Sequence, residues 1–169
     1  MRLLVVDDDI AVRMALSMAL DGVTILEAWR ASGAVSTATE ERADAVLVDR
    51  RLPDADGLTA VRALRLDPAT ADLPIVVITA HDDPSERAAA FSAGADEHAV
   101  KPLVAEQLLT LVRSIAETPV DQRRLRRTLR RARMHVGRED GGWSDLVAAP
   151  EPEDVGRGAR KRRWLTRTT

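Results

Sequence analysis

Residues 3–9 read Leu-Leu-Val-Val-Asp-Asp-Asp, a continuous apolar run that ends in three carboxylates. Such runs are typical of strands in a parallel sheet whose two faces are both covered by helices. Three later apolar runs also end beside chemically active side chains, namely Asp49, Thr79 and Lys101. Because the carboxyl ends of parallel strands lie along one edge of an open sheet, we expect these side chains to meet there.

The sequence alternates strand and helix patterns as far as residue 117. Strands are predicted near residues 2–7, 23–27, 45–49, 74–79 and 97–100. Helices are predicted near residues 9–20, 32–41, 57–66, 84–94 and 103–116. This alternation predicts an α/β fold, with a doubly wound five-stranded parallel sheet and helices on both of its faces.

Capping residues and apolar spacing define the helices more closely. Asp9 is expected to cap the first helix and Ser32 the second. Asp54 and Asp56 are expected to be turn residues, with Gly57 supplying a permissive backbone. One face of the first helix carries Ile10, Met14, Ala15 and Met18. The residues of the fifth helix expected to face inward are Leu108, Leu111, Val112 and Ile115.

Composition excludes several kinds of site. The 169-residue chain has no cysteine, so a disulfide, a thiol nucleophile and a thiolate metal site are all excluded. Its first apolar run is too short for a signal peptide and no run approaches a membrane span, so a cytoplasmic protein is expected. The histidines lack zinc-ligand spacing, and neither a Walker loop nor a Gly-x-Ser-x-Gly motif occurs.

Charge divides the chain into two parts. Residues 1–117 hold 11 Lys+Arg and 20 Asp+Glu, a net charge of −9, whereas residues 118–169 hold 14 and 7, a net charge of +7. We expect one domain at 1–117 and a basic extension at 118–169, with a helix at about 120–136 and then a flexible tail. The apolar stripe of that helix is narrow and consists of Leu125, Leu129, Ala132 and Val136.

Four motifs together resemble the receiver domain of bacterial two-component response regulators. They are Val5-Val6-Asp7-Asp8, residues 46–57 around Asp49, Ile78-Thr79-Ala80, and Gly94-Ala95-Asp96 through Lys101-Pro102. The resemblance covers about residues 1–117 and implies a flavodoxin-like sheet of strand order 2-1-3-4-5. It also implies a signalling domain rather than an enzyme, whose only chemistry is its own phosphorylation and dephosphorylation.

The resemblance assigns roles around the phosphoacceptor, which is Asp49. A carboxylate can attack phosphorus and form an acyl phosphate. Lys101 would pair with the phosphoryl oxygens, and the hydroxyl of Thr79 would bond one of them after transfer. Ala80 and His81 are expected to flank the pocket.

A divalent cation is implied as well, either Mg²⁺ or Mn²⁺. Close carboxylates repel one another, and an incoming phosphoryl group adds negative charge that a cation would offset. By resemblance, Asp8, Asp49 and the backbone carbonyl of Arg51 bind the metal directly, while Asp7 acts through water.

The switch is expected to consist of Thr79 and His98. Receivers usually carry Tyr or Phe at the position of His98, so a degenerate receiver that acts as a constitutive binding module stays open. The expected donor is a histidine kinase or phosphotransfer protein. The response would be displayed on the face of the fourth helix, fifth strand and fifth helix, and a phosphorylation-dependent homodimer could form.

Other functions rest on other parts of the sequence. The arginine-rich segment 120–163 is consistent with a DNA-binding transcriptional regulator, with a docking or coiled-coil helix, or with a solvated helix and a disordered tail. A metal-dependent phosphohydrolase lacks support, because Arg51 stands where a second acidic residue would be needed.

Overall fold

The computed structural model describes the backbone of residues 1–139 and the side chains of residues 1–133. The strands in this range are β1 Arg2–Val6, β2 Thr24–Ala28, β3 Ala45–Asp49, β4 Ile75–Thr79 and β5 Glu97–Val100. The helices are α1 Ile10–Ala19, α2 Ala34–Glu40, α3 Gly57–Leu66, α4 Pro84–Ala93, α5 Ala105–Glu117 and α6 Val120–Glu139, with a 3-10 turn at Ala31–Gly33 before α2. The tail expected after residue 136 lies largely outside the described residues.

All five strands are parallel and follow the order β2-β1-β3-β4-β5, which confirms the expected topology. Every residue of β3 and β4 is buried. Two apolar cores explain this burial: α2, α3 and α4 contribute to one and α1 and α5 to the other. Alternate residues of these strands enter opposite cores, so β3 and β4 are apolar up to their last residues, Asp49 and Thr79.

The face of α1 that carries most of its apolar residues lies on the surface. Ile10, Met14 and Met18 are 63%, 56% and 81% exposed, while Arg13 and Leu16 are buried against the sheet. Apolar spacing therefore does not identify the buried side of this helix. The inward position goes to Arg13 because its guanidinium reaches polar groups at the edge of the sheet.

Ser32 does not cap the second helix, so that expectation was wrong. It lies within the 3-10 turn, and neither that turn nor α2 has a side-chain cap at its start. The carboxylate of Asp54 instead accepts hydrogen bonds from the backbone N–H groups of Ala31 at 2.9 Å and Ser32 at 3.0 Å. A carboxylate more than twenty residues away thus satisfies the free donors at this helix start.

The basic helix forms as expected and runs to Glu139. The two leucines of its apolar stripe face outward: Leu125 and Leu129 are 59% and 52% exposed. Two of its arginines, Arg123 and Arg127, are buried against the sheet domain. In the described part of the chain, no helix is both long enough and apolar enough to cross a membrane.

Candidate phosphorylation site

Three strands end side by side at one edge of the sheet. In the β-sheet register Asp49 lies opposite Ile78, and Thr79 lies opposite Val100, directly before Lys101. The backbone N–H of Lys101 donates to the carbonyl of Thr79 at 2.8 Å. The edge predicted from the apolar runs therefore exists, and the Lys101-Pro102 peptide bond that follows β5 is cis.

Lys101 joins two buried carboxylates. Its Nζ lies 3.2 Å from Oδ2 of Asp7 and also donates to Oδ2 of Asp49. Asp7 is 1% exposed and Asp49 is 8% exposed. Buried charges require partners of opposite sign, so a single ammonium compensates two carboxylates here.

The backbone holds the other oxygens of these two carboxylates. Oδ1 of Asp7 accepts from the N–H of Asp9 at 2.9 Å, and Oδ1 of Asp49 accepts from the N–H of Arg51 at 2.8 Å. Asp9 also caps α1, as expected, by accepting from the N–H of Ala11. The positions of both buried carboxylates are therefore defined on two sides.

Asp8 differs from its neighbours. Its side chain is exposed, and no hydrogen bond to its carboxylate occurs among the described residues. It lines the same cavity as Asp7, Asp49 and Lys101. This carboxylate is therefore free to bind a ligand without first breaking an internal contact.

The electrostatics of the cavity oppose full ionisation. Burial raises the pKa of Asp7, and the charge of Asp49 raises it further, although the Asp9 hydrogen bond and Lys101 act in the opposite direction. Burial alone would lower the pKa of Lys101, but its hydrogen bond to Asp49 and the two carboxylate charges outweigh this, so that pKa is raised. The cluster thus favours an added positive charge.

Arg13 holds the backbone of the site in place, a role that was not predicted from the sequence. Its Nη1 donates to the backbone carbonyl of Asp7 at 2.7 Å, and its Nε donates to Glu27 at 2.9 Å. No pattern in the sequence indicates this role, because apolar spacing points to the side of Ile10, Met14 and Met18 as the buried one. The contact fixes the backbone from which the Asp7 carboxylate projects.

Gly57 is required for a different reason from the one expected. Its φ is not positive; instead, a Cβ at this position would overlap the backbone carbonyl oxygen of Asp49. The N–H of Gly57 donates to the carbonyl of Arg50 at 2.9 Å, which draws the start of α3 against the end of β3. Asp56 caps that helix through the N–H of Leu58.

The residues of the β4 edge lie beside the cavity rather than in its lining. The cavity is lined by Asp7, Asp8, Asp9, Asp49, Arg51, Leu52, Pro53 and Lys101. Thr79 is buried, and its hydroxyl donates to the carbonyl of His81 at 2.9 Å. Ala80 and the side chain of His81 are exposed. The structure therefore brings together the carboxylates and the lysine, with the hydroxyl directed away from them.

His98 also contacts the hydroxyl of Thr79, beside the cavity. Its Nε2 lies 2.9 Å from Oγ1 of Thr79. Because the hydroxyl proton goes to His81, Nε2 acts as the donor. Burial and then the charge of Arg87 lower the pKa of His98, although nearby carboxylates oppose the shift. The neutral imidazole is therefore favoured.

Residues 3–113 match the response regulator receiver domain family. A response regulator, MprA of Mycobacterium ulcerans, is 40% identical over 169 residues, covering 99% of this chain and 68% of that protein. The chemotaxis response regulator CheY4 of Vibrio cholerae is similar in structure, with a TM-score of 0.63 and 28% identity over 68% of this chain and 97% of that one.

A second solved structure is the receiver domain of the sensor histidine kinase PA1611 from Pseudomonas aeruginosa, with a magnesium ion coordinated in its active site cleft. Its TM-score is 0.64 and its identity 26%, over 69% of this chain and 98% of that one. Three observations indicate the same family: the sheet order, the grouping of Asp7, Asp49 and Lys101 at one edge, and these similarities. The chain belongs to the response regulator receiver domain family, and its receiver domain acts in phosphorylation-dependent signalling.

Proposed function

We propose that Asp49 is the phosphoacceptor of this chain and that a histidine kinase or phosphotransfer protein is the donor. The observation that carries the proposal is the shared ammonium of Lys101, which holds Asp7 and Asp49 together at the carboxyl edge of the sheet. A cation placed beside an acceptor carboxylate provides what an incoming phosphoryl group needs, because charge neutralisation dominates this chemistry.

The transfer step is a displacement at phosphorus. A carboxylate oxygen of Asp49 forms the new bond to phosphorus, and the bond between phosphorus and the donor's nitrogen or oxygen breaks with its electron pair. Lys101 then shifts its ammonium from the Asp49 carboxylate to a phosphoryl oxygen. This shift is short, because Nζ of Lys101 already contacts Oδ2 of Asp49.

The cavity fits Mg²⁺ and, by the same ligand chemistry, Mn²⁺. Among the described residues, no group of three or more acidic or histidine side chains could hold a metal by itself. Mg²⁺ does not require such a group, because it keeps several waters and uses one or two carboxylates together with phosphate oxygens. Asp8, Asp49 and the carbonyl of Arg51 would hold the ion, and Asp7 would act through water.

This assignment describes a self-modifying signalling domain rather than an enzyme with a separate substrate. The cation would neutralise the carboxylates during transfer, and the chain's own residues would position and stabilise the phosphoryl group. Arg51 stands two residues after Asp49 and cannot serve as the acid that a phosphohydrolase of this kind needs. We infer a cytoplasmic location from this role.

The exposed face of α1 supplies a surface for the phosphoryl donor. Ile10, Met14 and Met18 lie on the helix that directly follows the acidic loop, and their side chains are exposed. A partner helix packed there would bring its phosphorylated side chain close to the cavity. Methionine side chains adapt readily to such partners.

The response is proposed to pass through Thr79 and His98 to the face of α4, β5 and α5. If the Thr79 hydroxyl turns to a phosphoryl oxygen, it must leave the carbonyl of His81 and change its contact with His98. Partner binding at this face, including a phosphorylation-dependent homodimer, would follow. At this face the guanidinium of Arg130, from α6, lies over the ring of Phe91 of α4, at 4.3 Å from the ring centre.

The test is phosphorylation with acetyl phosphate and Mg²⁺, followed by intact-mass analysis. Wild-type protein should gain one phosphoryl group, and Asp49→Asn should gain none. Asp44→Asn is a matched control, because Asp44 is acidic, near β3 and remote from the cavity. Equal labelling of Asp49→Asn, or no labelling of wild type, would overturn the proposal.

A degenerate receiver is the second candidate, and the observation that favours it is His98 in place of the usual aromatic residue. This alternative predicts phosphorylation without consequence. Partner binding that is the same for wild type, Asp49→Asn and the beryllofluoride complex would establish it.

A further inference from the structure

Arginines attach α6 to the sheet domain. Nη1 of Arg127 donates to Oδ1 of Asp96 at 2.7 Å, and Nη1 of Arg123 donates to the backbone carbonyl of Asp72 at 2.6 Å. Arg124 donates from Nε to the carboxylate of Asp72 at 2.8 Å. These bonds fix one side of the helix against the turn before β4 and the start of β5.

Arg130 extends the same contact by one turn. Its guanidinium stacks on Phe91 of α4, donates to the backbone carbonyl of Asp96 and lies 3.3 Å from the carboxylate of Glu97. Four arginines of α6 are thus already paired. A nucleic acid would need those cations for its phosphates, so this arrangement disfavours that use of the helix.

The opposite side of α6 carries a seam of coiled-coil spacing. Leu125, Leu129, Ala132 and Val136 are separated by four, three and four residues, which is the interval of the two core positions in a heptad. Leu125 and Leu129 are more than half exposed, and Ala132 is exposed too. Gln122 continues the seam by three residues toward the start of the helix and is also exposed.

The residues of α6 that contact the receiver domain and those that face outward occupy different heptad positions. With Leu125 and Ala132 at d and Leu129 at a, the paired arginines fall at b, c and f, away from the seam. Positions a, d, e and g therefore stay accessible while the helix remains docked. A second helix could pack on the seam with a sheet domain on the outer side of each helix.

The charges beside the seam select a partner. Asp121 falls at g and Arg126 at e, both are exposed, and neither has an ion-pair partner among the described residues. In a parallel pair of identical helices, each g residue faces the e residue five positions later on the other helix. Asp121 of one copy would then face Arg126 of the other.

We propose that α6 forms a parallel two-stranded coiled coil with α6 of a second copy of this chain. An antiparallel pair would place e residues opposite e residues, and Arg126 and Arg133 would repel each other. The parallel pair buries the exposed leucines and joins opposite charges. This dimer goes beyond the proposed phosphorylation and does not depend on it.

A single cysteine tests the arrangement, because the chain contains none. Gln122 at an a position would lie beside its own copy in a parallel pair, within the reach of a disulfide, but at the far end in an antiparallel pair. Full-length Gln122→Cys should therefore cross-link under mild oxidation. Ser17→Cys, exposed on α1, measures the background from random collision.

Four further variants make the result specific. Leu125→Asp in the Gln122→Cys background should reduce cross-linking to the Ser17→Cys background, whereas Leu66→Asp, at an exposed leucine on α3, should not. Asp121→Arg should weaken the dimer in sedimentation experiments, and Asp121→Arg with Arg126→Asp should restore it. A monomer at all concentrations, or cross-linking unchanged by Leu125→Asp, would overturn the proposal. DNA binding that depends on Arg126 and Arg133, without cross-linking, would replace it.

Discussion

The hydroxyl of Thr79 lies 2.9 Å from Nε2 of His98, and this contact connects the edge of the acidic cavity to β5. The same hydroxyl donates to the carbonyl of His81. It therefore cannot bond a phosphoryl oxygen without giving up the His81 contact. The histidine that replaces the usual aromatic residue is linked to the site by a directional bond, which an aromatic ring of Phe could not form.

Thr79→Val should separate phosphorylation from signalling. The substitution keeps the side-chain shape and removes the hydroxyl, so Asp49 should still bind beryllofluoride while the imidazole NMR signals of His98 no longer respond. Thr79→Ser retains the hydroxyl and should respond as wild type does. A full His98 response in Thr79→Val would contradict this coupling.

Asp7→Asn should raise the melting temperature of the magnesium-free protein. Because burial and then the charge of Asp49 raise the pKa of Asp7, its protonated form favours folding. The stabilising effect of the protonated carboxyl is present below the ordinary pKa of 3.8 and is lost as pH rises through the raised pKa. The charged carboxylate therefore destabilises the fold at pH 7. The neutral amide removes this effect.

The comparison needs a second acidic position and a metal titration. Asp21→Asn, at an exposed residue outside the cavity, should leave the melting temperature unchanged. Mg²⁺ should stabilise wild type more than Asp7→Asn, because a ligand of the folded state stabilises it by an amount that grows with its affinity. A lower melting temperature for magnesium-free Asp7→Asn would contradict the sign of the predicted effect.

Gly57→Ala should destabilise the protein by about 1–3 kcal/mol, the usual range for forcing an extra methyl group into a packed site. The new Cβ would displace the carbonyl of Asp49, so the phosphorylation rate should fall too. Gly33→Ala is the matched control, since its Cβ would meet only Ala28, at 3.9 Å. Urea unfolding and acetyl phosphate labelling measure the two effects; equal stability of both variants would contradict the steric argument.

Asp96→Ala should be the most destabilising of these changes, at about 3–5 kcal/mol, the range for removing one partner of a buried ion pair. It would leave the guanidinium groups of Arg65 and Arg127 without their shared carboxylate. Burial already lowers the pKa of Arg65 to about 10, even though Asp96 opposes the shift.

Arg124→Ala provides the comparison for Asp96→Ala, because the ion pair of Arg124 with Asp72 is exposed and should contribute little to stability. Hydrogen exchange should show faster exchange in α6 for Asp96→Ala than for Arg124→Ala. Similar unfolding free energies for the two variants would show that the buried pair does not anchor the helix.

The order of the strands, and their bounds to within one residue, were predictable because buried parallel strands require continuous apolar runs. The ends of those runs also identified the residues that surround the cavity, since parallel strands end at a common edge. Helix α3 was predicted with its observed bounds, Gly57–Leu66, because Asp67-Pro68 stops it. These features depend on local patterns that a short window of sequence contains.

The strand–helix alternation and the acidic edge of the sheet follow from the order of residues along the chain. Three other features arise only when the elements pack together: α1 turns Arg13 inward, Asp54 caps a helix start over twenty residues away, and α6 docks through arginines with its leucines outward. Each of these outcomes depends on a polar partner distant in the sequence. The buried guanidinium groups of Arg13, Arg123 and Arg127 must find such partners, and this requirement overrides the apolar spacing of a single helix.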